Sequence, residues 1–400
     1  MSRKNNTRAA HGSGTIRKKT VTKNGKSYTY WEARYTDGFD PGTGKQIQRS
    51  ITGKTQKEVS QKLKQVTSAI DTGTYTAPSK MTLGEWLDIW SDNYLGGIKP
   101  FTVVSYKGHI ENHIKPALGA IKLELLNAHM IQGFYNDLGK PHGDTPALSP
   151  KTIKNVHGVL HKALQQAVAG GYIRFNPADA CILPRIVKKE LIPLDEKQSK
   201  AFLQAIKGHR FEALYTITLF TGMREGEALG LCWNCVDFDK GTILIDKQLQ
   251  REKKAGGQYI FAPLKNDRSR RITPAPWVMQ FLKNHRALQN EQRLKAGELW
   301  EDTDFVFTNE VGHHLAIHTI YKDFKKIVDS IGCPNIRFHD LRHAYAVAAI
   351  RSGDDIKTVQ GNLGHATAAF TLDVYGHVTE QMKQESAQRM ENYIKDVLDL

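Results

Sequence analysis

The sequence predicts an α+β chain of three domains: a small three-stranded sheet with one helix, an all-α bundle, and a larger, mainly helical domain carrying a β-hairpin or small sheet. Three observations predict it. Period-two alternation of apolar and polar residues is confined to the start of the chain and to a short stretch after Thr242. Apolar residues at intervals of three and four dominate elsewhere. Two aperiodic stretches, 71–80 and 176–193, separate the periodic segments and hold the turn and linker residues.

In the first domain, 1–75, Thr15 to Val21 and Ser27 to Thr36 read as strands joined by the hairpin turn Asn24-Gly25. The second strand alternates Tyr28, Tyr30, Glu32 and Arg34 against Thr29, Trp31, Ala33 and Tyr35. A third strand near Gln46 to Ile51 leads to Thr55-x-x-Glu58, a capping box opening a helix to about Ile70. Such a sheet, with Arg34, Lys45 and Arg49 beside aromatics, can lay a face on DNA; a small protein-binding module is the competing reading.

The second domain, 80–178, opens on another capping box, Thr82-x-x-Glu85, with Leu83, Trp86, Leu87 and Trp90 read as core. Further helices are expected near Thr102 to Ile114, Asn127 to Leu138 and Pro150 to Ala169. The last has Ser149 as N-cap, Pro150 in its first turn and Gly170-Gly171 as its stop. After a proline-rich, basic segment that includes Lys188 and Lys189 and is expected to lie along phosphates, the third domain covers 190–400. Its strands are expected at Thr242 to Leu249, Gln258 to Leu264 and from Arg271, with Asn266-Asp267 as the turn between the last two.

A chain of 400 residues, 40% hydrophobic, is long enough to bury several cores. No stretch approaches the roughly 18 uncharged apolar residues of a membrane span, and the start has basic residues without an apolar run after them, so a cytoplasmic location is expected. Cys181, Cys232, Cys235 and Cys333 do not make a disulfide framework; the Cys232/Cys235 pair lacks a second pair for zinc and reads as small apolar residues. The net charge is +15, and residues 1–70 hold 15 Lys and Arg against 4 Asp and Glu, a local net of 15 − 4 = +11. A folded basic block favours a phosphate-binding surface over a solvated tail.

Three elements carry chemistry. Leu214 to Phe220 is an apolar helix leading into Thr221-Gly-Met-Arg224-Glu-Gly-Glu227, where Gly222 permits a break. Alone, this is weak, since an Arg at a helix start such as Arg224 is more often a surface or ion-pairing residue. His339-Asp-Leu-Arg342-His343 precedes an apolar helical run, and residues three apart share a helix face, so His339 and Arg342 can address one phosphate; a capped helix with a surface His and Arg is the competing reading. Leu363-Gly364-His365 is followed ten residues later by Tyr375, which taken singly is more often a half-buried aromatic than a nucleophile, because its phenol needs help to attack.

Together these elements resemble the catalytic domain of the tyrosine recombinase (phage integrase) family, whose motifs are an Arg in a TGxR helix, His-x-x-Arg, Leu-Gly-His and a downstream Tyr. The family also places a Lys on a β-hairpin, matched by Lys265, and an acidic residue that steadies the site, matched by Glu227. The likeness extends forward, since a basic sheet, a helical core-binding domain and a catalytic domain look like integrases of conjugative transposons and lambda-like phages. Ala344, Tyr345 and Gly226 depart from the common pattern without removing a catalytic side chain.

The resemblance implies site-specific cleavage and rejoining of DNA through a 3′-phosphotyrosine on Tyr375, in service of integration or excision of a mobile element. It implies that Arg224 and Arg342 bind the nonbridging oxygens, that His365 donates to the same phosphate, that His339 accepts the phenol proton and that Lys265 is the general acid. No cofactor or metal is implied. His313, His314 and His318 lack carboxylate or Cys partners at ligand spacing. The expected partners are double-stranded DNA at arm-type and core sites, an accessory excision factor, and three further copies of the chain assembling a Holliday junction, with no membrane. Ala387, Met390, Ile394 and Val397 form an apolar stripe on a terminal helix, read as docking on a neighbouring subunit or on its own domain. A type IB topoisomerase and a DNA-binding protein that does not cut are the alternatives.

Overall fold

The computed structural model describes residues 15–39, 42–72, 80–187, 193–252, 257–364 and 380–398. The chain divides into two compact units, Met1–Val187 and Lys188–Leu400.

The first unit begins with an antiparallel sheet ordered β1 (Thr15–Lys23), β2 (Lys26–Phe39), β3 (Gln46–Gly53). Asn24 and Gly25 turn at φ 51° and 73°, the left-handed pair that matches the right-handed twist of a hairpin. β2 outruns its expected end because an irregularity between Thr36 and Gly38 lets pairing with β3 resume at Gly38–Ile47. Trp31, Ala33 and Tyr35 face α1 (Gln56–Asp71) and pack with Val59 and Leu63. Only half of the first capping box forms. Thr55 Oγ1 accepts from the Glu58 amide at 3.2 Å, while the Glu58 carboxylate reaches the amide of Lys54 instead of Thr55.

The bundle follows. At α2 (Leu83–Asn93) the box is complete, with the Thr82 amide donating to Glu85 at 2.7 Å and the Glu85 amide to Thr82 Oγ1 at 3.2 Å. α3 (Pro100–His109) passes through a π-helical turn, Ile110–Ile114, into α4 (Lys115–Leu118), so this helix is longer than its sequence suggests. Pro116 cannot donate to the carbonyl four residues back, and the wider turn before it accommodates the ring instead of ending the helix. α5 (Ala128–Leu138) is capped by Asn127, and α6 (Pro150–Ala169) starts at Ser149 and stops at Gly170 as expected. Trp86 and Trp90 lie in this core, and Trp86 Nε1 donates to the Ala163 carbonyl at 2.8 Å.

The second unit holds α7 (Glu196–Ala205), α8 (Glu212–Thr221), α9 (Glu225–Leu229), β4 (Val236–Asp237), β5 (Thr242–Ile245), β6 (Lys247–Arg251), β7 (Tyr259–Pro263), β8 (Arg270–Ile272), α10 (Pro276–Ala296), α11 (Ile317–Ser330), α12 (Asp340–Arg351), α13 (Ile356–Leu363) and α14 (Glu380–Leu398). The single strand expected over Thr242 to Leu249 breaks at Asp246, where the chain changes partners: β5 joins β4 and β8, and β6 pairs with β7. Lys265 therefore sits in the turn that carries the chain from β7 to β8, two strands in different sheets, and not at the tip of a hairpin. Gly226 and Gly230 let α9 approach β6 closely, since a Cβ at either would stand 2.9 Å from the Leu249 carbonyl oxygen or 2.7 Å from its nitrogen.

Phe202, Tyr215, Phe324 and Phe338 centre the core of this unit. Buried Gln289 links its elements: Trp233 Nε1 donates to Gln289 Oε1 at 2.6 Å, and Gln289 Nε2 donates to the Phe305 and Val306 carbonyls at 3.1 Å each. Met390, Ile394 and Val397 of α14 are exposed. No helix among the described residues is long and apolar enough to cross a membrane.

Gln289→Leu keeps the volume and strips four hydrogen bonds, the fourth being to Thr308 Oγ1 at 3.0 Å, so it should cost roughly 2–4 kcal/mol. Urea unfolding measures this; a midpoint equal to that of wild type would contradict the linking role.

Candidate active site

α8 is apolar along its length and ends at Gly222, a left-handed cap with φ 64°. Glycine is required there twice over, because a Cβ would also stand 2.4 Å from Tyr345 Cδ1. The break turns the chain so that Arg224 becomes the N-cap of α9. The Glu227 carboxylate accepts from the Arg224 amide at 2.9 Å and from Arg224 Nη1 at 2.7 Å.

α12 starts on a second charged clamp. Arg337 donates to Asp340 through its amide at 2.8 Å and through its guanidinium, which holds the Asp340 carboxyl below its ordinary range despite burial. His339 precedes the first turn as N-cap and is exposed at its edge. The protein packed around its ring, and then the guanidinium of Arg342, lower its pKa. Arg342 points inward, 2% exposed, and donates to the Gly222 carbonyl at 2.7 Å. His343 stacks edge-on against His339, with ring centroids 5.0 Å apart; burial pushes its pKa down to about 4.

α13 is where these elements meet. Its last carbonyls have no helical partners. Three arginines take three in succession: Arg270 Nε donates to Asn362 O at 2.7 Å, Arg342 Nη2 to Leu363 O at 2.6 Å, and Arg224 Nη2 to Gly364 O at 3.1 Å. Asn266, next to Lys265 in its exposed turn, also donates to Gly364 O, at 3.3 Å. Gly364 ends α13 in the left-handed conformation, φ 63°. A cavity of about 510 Å³ opens here, with Arg224, Arg268, Arg270 and Lys357 in its lining.

The structure thus brings Arg224, Glu227 and Arg342 together, with His339 and the Lys265 turn beside them. His365 and Tyr375 lie outside the described residues, as do Lys188 and Lys189. Sequence reading missed Arg270. Its signal is alternation: in β8 Arg270 and Ile272 turn inward and Arg271 outward, so the strand begins one residue before the start at Arg271 that the sequence suggests. Burial alone would push the Glu227 carboxyl up, yet the hydrogen bonds and charge of Arg270, joined by Arg224, outweigh it and hold the pKa at about 2.

In the basic sheet, Arg34 stands on the open face beside Arg17 and Lys19, which donate to Glu32 at 2.6 and 3.2 Å. Arg49 pairs in register with Tyr35, on the helix-bearing side, and is bound to Asp37. Lys45 is exposed ahead of β3. Cys232 and Cys235 are buried, His313 pairs with Glu301 at 2.8 Å, and His314 packs its ring on Tyr259 at 4.3 Å.

Two family models match the chain, the phage integrase family over residues 193–382 and the phage integrase N-terminal SAM-like domain over 82–139. A tyrosine recombinase XerC-like protein of Caldanaerobacter subterraneus is 31% identical over 392 residues, covering 94% of this chain and 98% of that one. The chain belongs to the phage integrase family of tyrosine recombinases. The recombinase is also 25% identical to the ICEBs1 integrase of Bacillus subtilis over 373 residues, 89% of this chain and 95% of the relative. Among solved structures, the Tn1549 transposon integrase in complex with a circular intermediate DNA superposes with a TM-score of 0.66 at 21% identity, covering 78% of this chain and all of that one (100%). A lambda integrase tetramer bound to a Holliday junction superposes at 0.52 and 19% identity, over 87% of this chain and 96% of that one. These two likenesses are of fold. The recombinase is an α+β multidomain protein of that architecture.

His343 has a definite consequence for stability. Its folded pKa, about 4, lies below the ordinary 6.5, so the unfolded chain takes up the proton first. The stabilisation is full above the ordinary value, is lost as pH falls through this window and levels off below the folded value. Between about pH 7 and about pH 5 this removes about 2 kcal/mol. Urea midpoints of wild type and His343→Gln at the two pH values test it; the same pH dependence in both proteins would contradict the assignment.

Proposed function

We propose that the recombinase cleaves one DNA strand by attack of Tyr375 Oη on a phosphodiester held by Arg224 and Arg342. The observation that carries this reading is the pair of guanidiniums tied to successive carbonyls, Gly364 O and Leu363 O, immediately before His365 in the chain. The phenol proton passes to His339, whose lowered pKa leaves the imidazole neutral and able to accept it. The Oη–P bond forms as the P–O5′ bond breaks, and Lys265 supplies a proton to the departing 5′ oxygen. His365 donates to a nonbridging oxygen. Charge builds on those oxygens in the transition state, where guanidiniums that never deprotonate are worth most. The phosphotyrosine keeps the bond energy, and attack by a 5′ hydroxyl reverses the steps and rejoins the strand.

We assign 1–75 to arm-type DNA binding, 80–178 to core-site binding and 190–400 to catalysis. The exposure of Arg34 and Lys45 supports their assignment to phosphate contacts, and Arg49, Lys188 and Lys189 are included on their charge. The assembly is a homotetramer on two DNA sites that passes through a Holliday junction, with α14 lending its exposed stripe to a neighbouring copy. An accessory excision factor follows from the family resemblance alone. The substrate is a mobile element, a conjugative transposon or prophage, in keeping with relatives named as integrases. The place of action is the bacterial cytoplasm, at the nucleoid.

On a duplex nicked near its crossover site, the chain should trap a covalent protein–DNA adduct, and Tyr375→Phe should abolish it. Arg224→Ala and Arg342→Ala should each slow adduct formation by about 10²–10³-fold. An adduct surviving Tyr375→Phe would sink the mechanism. Separately, Arg34→Ala and Lys45→Ala should each lower the slope of log K against log salt for arm-site DNA by about 1; unchanged slopes would remove these residues from the DNA surface.

A further inference from the structure

Glu227 accepts four hydrogen bonds, two from Arg224 and two from Arg270. The Arg270 pair is a fork on the carboxylate, Nη1 to Oε1 at 3.1 Å and Nη2 to Oε2 at 2.6 Å, leaving Nε to hold Asn362 O at 2.7 Å. The side chain is only 10% exposed, and a Cβ on Gly364 would stand 3.0 Å from its Nη1. One residue therefore joins α9, which Arg224 caps, the strand that follows the Lys265 turn, and the end of α13, which precedes His365 in the chain.

One carboxylate facing one arginine would leave no net charge for a phosphate. With two arginines on Glu227 the cluster keeps a net positive charge, and Arg224 is free to spend it on substrate.

We infer that Arg270 is a positioning residue of the recombinase: it engages Glu227 and the Asn362 carbonyl so that Arg224 faces the phosphate within a cluster of net positive charge and the chain leaves α13 toward His365 from a fixed point. This rests on the reading of Arg224, His365 and Tyr375 proposed above. Arg270 itself touches no reacting atom. Its loss misplaces groups that do, and displacements near 1 Å cost on the order of 10²-fold in rate.

The test is single-turnover adduct formation by the full chain on nicked duplex at saturating protein, with Kd for the same DNA and the thermal midpoint measured in parallel. Arg270→Gln should slow the adduct about 100-fold while Kd moves less than about 3-fold. Arg270→Lys, which keeps the charge but not the fork, should recover part of that loss. Adding Glu227→Gln to Arg270→Gln should cost less than the product of the two single losses, because both act through Arg224. A rate for Arg270→Gln near wild type, a rate loss fully matched in Kd, or multiplicative losses would overturn the inference. If Arg270→Gln does not fold, Arg270→Lys decides: a slower adduct at unchanged Kd and midpoint supports it, an unchanged rate overturns it. Absence of an adduct from the wild-type chain would instead overturn the Tyr375 reading beneath it.

Discussion

The end of α13 is the constraint on which the second unit's chemistry depends. A helix terminus leaves carbonyls unpaired and concentrates the negative end of the helix dipole. Here that end is a socket for guanidiniums. Arg270, Arg342 and Arg224 come from β8, α12 and α9, elements far apart in sequence, and each takes one carbonyl of the run Asn362, Leu363, Gly364. Because the carbonyls are consecutive, the arginines are held side by side. Arg342 donates to two carbonyls, Gly222 O and Leu363 O, which fix the direction of its guanidinium. Arg224 meets a carboxylate, but that carboxylate is already engaged by Arg270.

Such an arrangement is costly to build. Buried charge needs good geometry and complete hydrogen bonding to be tolerated. Glu227 meets that condition with its four donors. Small residues supply the remaining room: Gly222 lets Tyr345 and Arg342 pass beneath the α8–α9 break, and Gly364 clears Arg270. Tyr345, one of the departures from the common motif, fills this space and accepts from Asn362 Nδ2 at 3.1 Å, so it braces the same end of α13. Gly226, another departure, admits the backbone of Leu249.

Much of this was legible in the sequence because the informative residues are local. Thr82, Ser149 and Gly170 mark helix ends by their own side-chain and backbone chemistry, and the structure places those ends where they were expected. The α+β architecture and the family were also legible, since the motifs keep their order along the chain. Pairings set by distant partners were not. The break at Asp246 depends on β8 competing for β5, and the π-turn before Pro116 on a bundle that holds the helix together across the proline. Arg49 is drawn to Asp37 by an irregular strand. Arg270 was hidden for the same reason, because its role is defined by contacts 43 and 92 residues away.

In the proposed mechanism these fixed charges serve attack by one phenol on DNA. The most direct measurement is identification, by mass spectrometry of the digested adduct, of the residue and the DNA end that are joined. A peptide containing Tyr375 esterified to a 3′ phosphate is the expected product. Attachment through another residue, or to a 5′ phosphate, would contradict it.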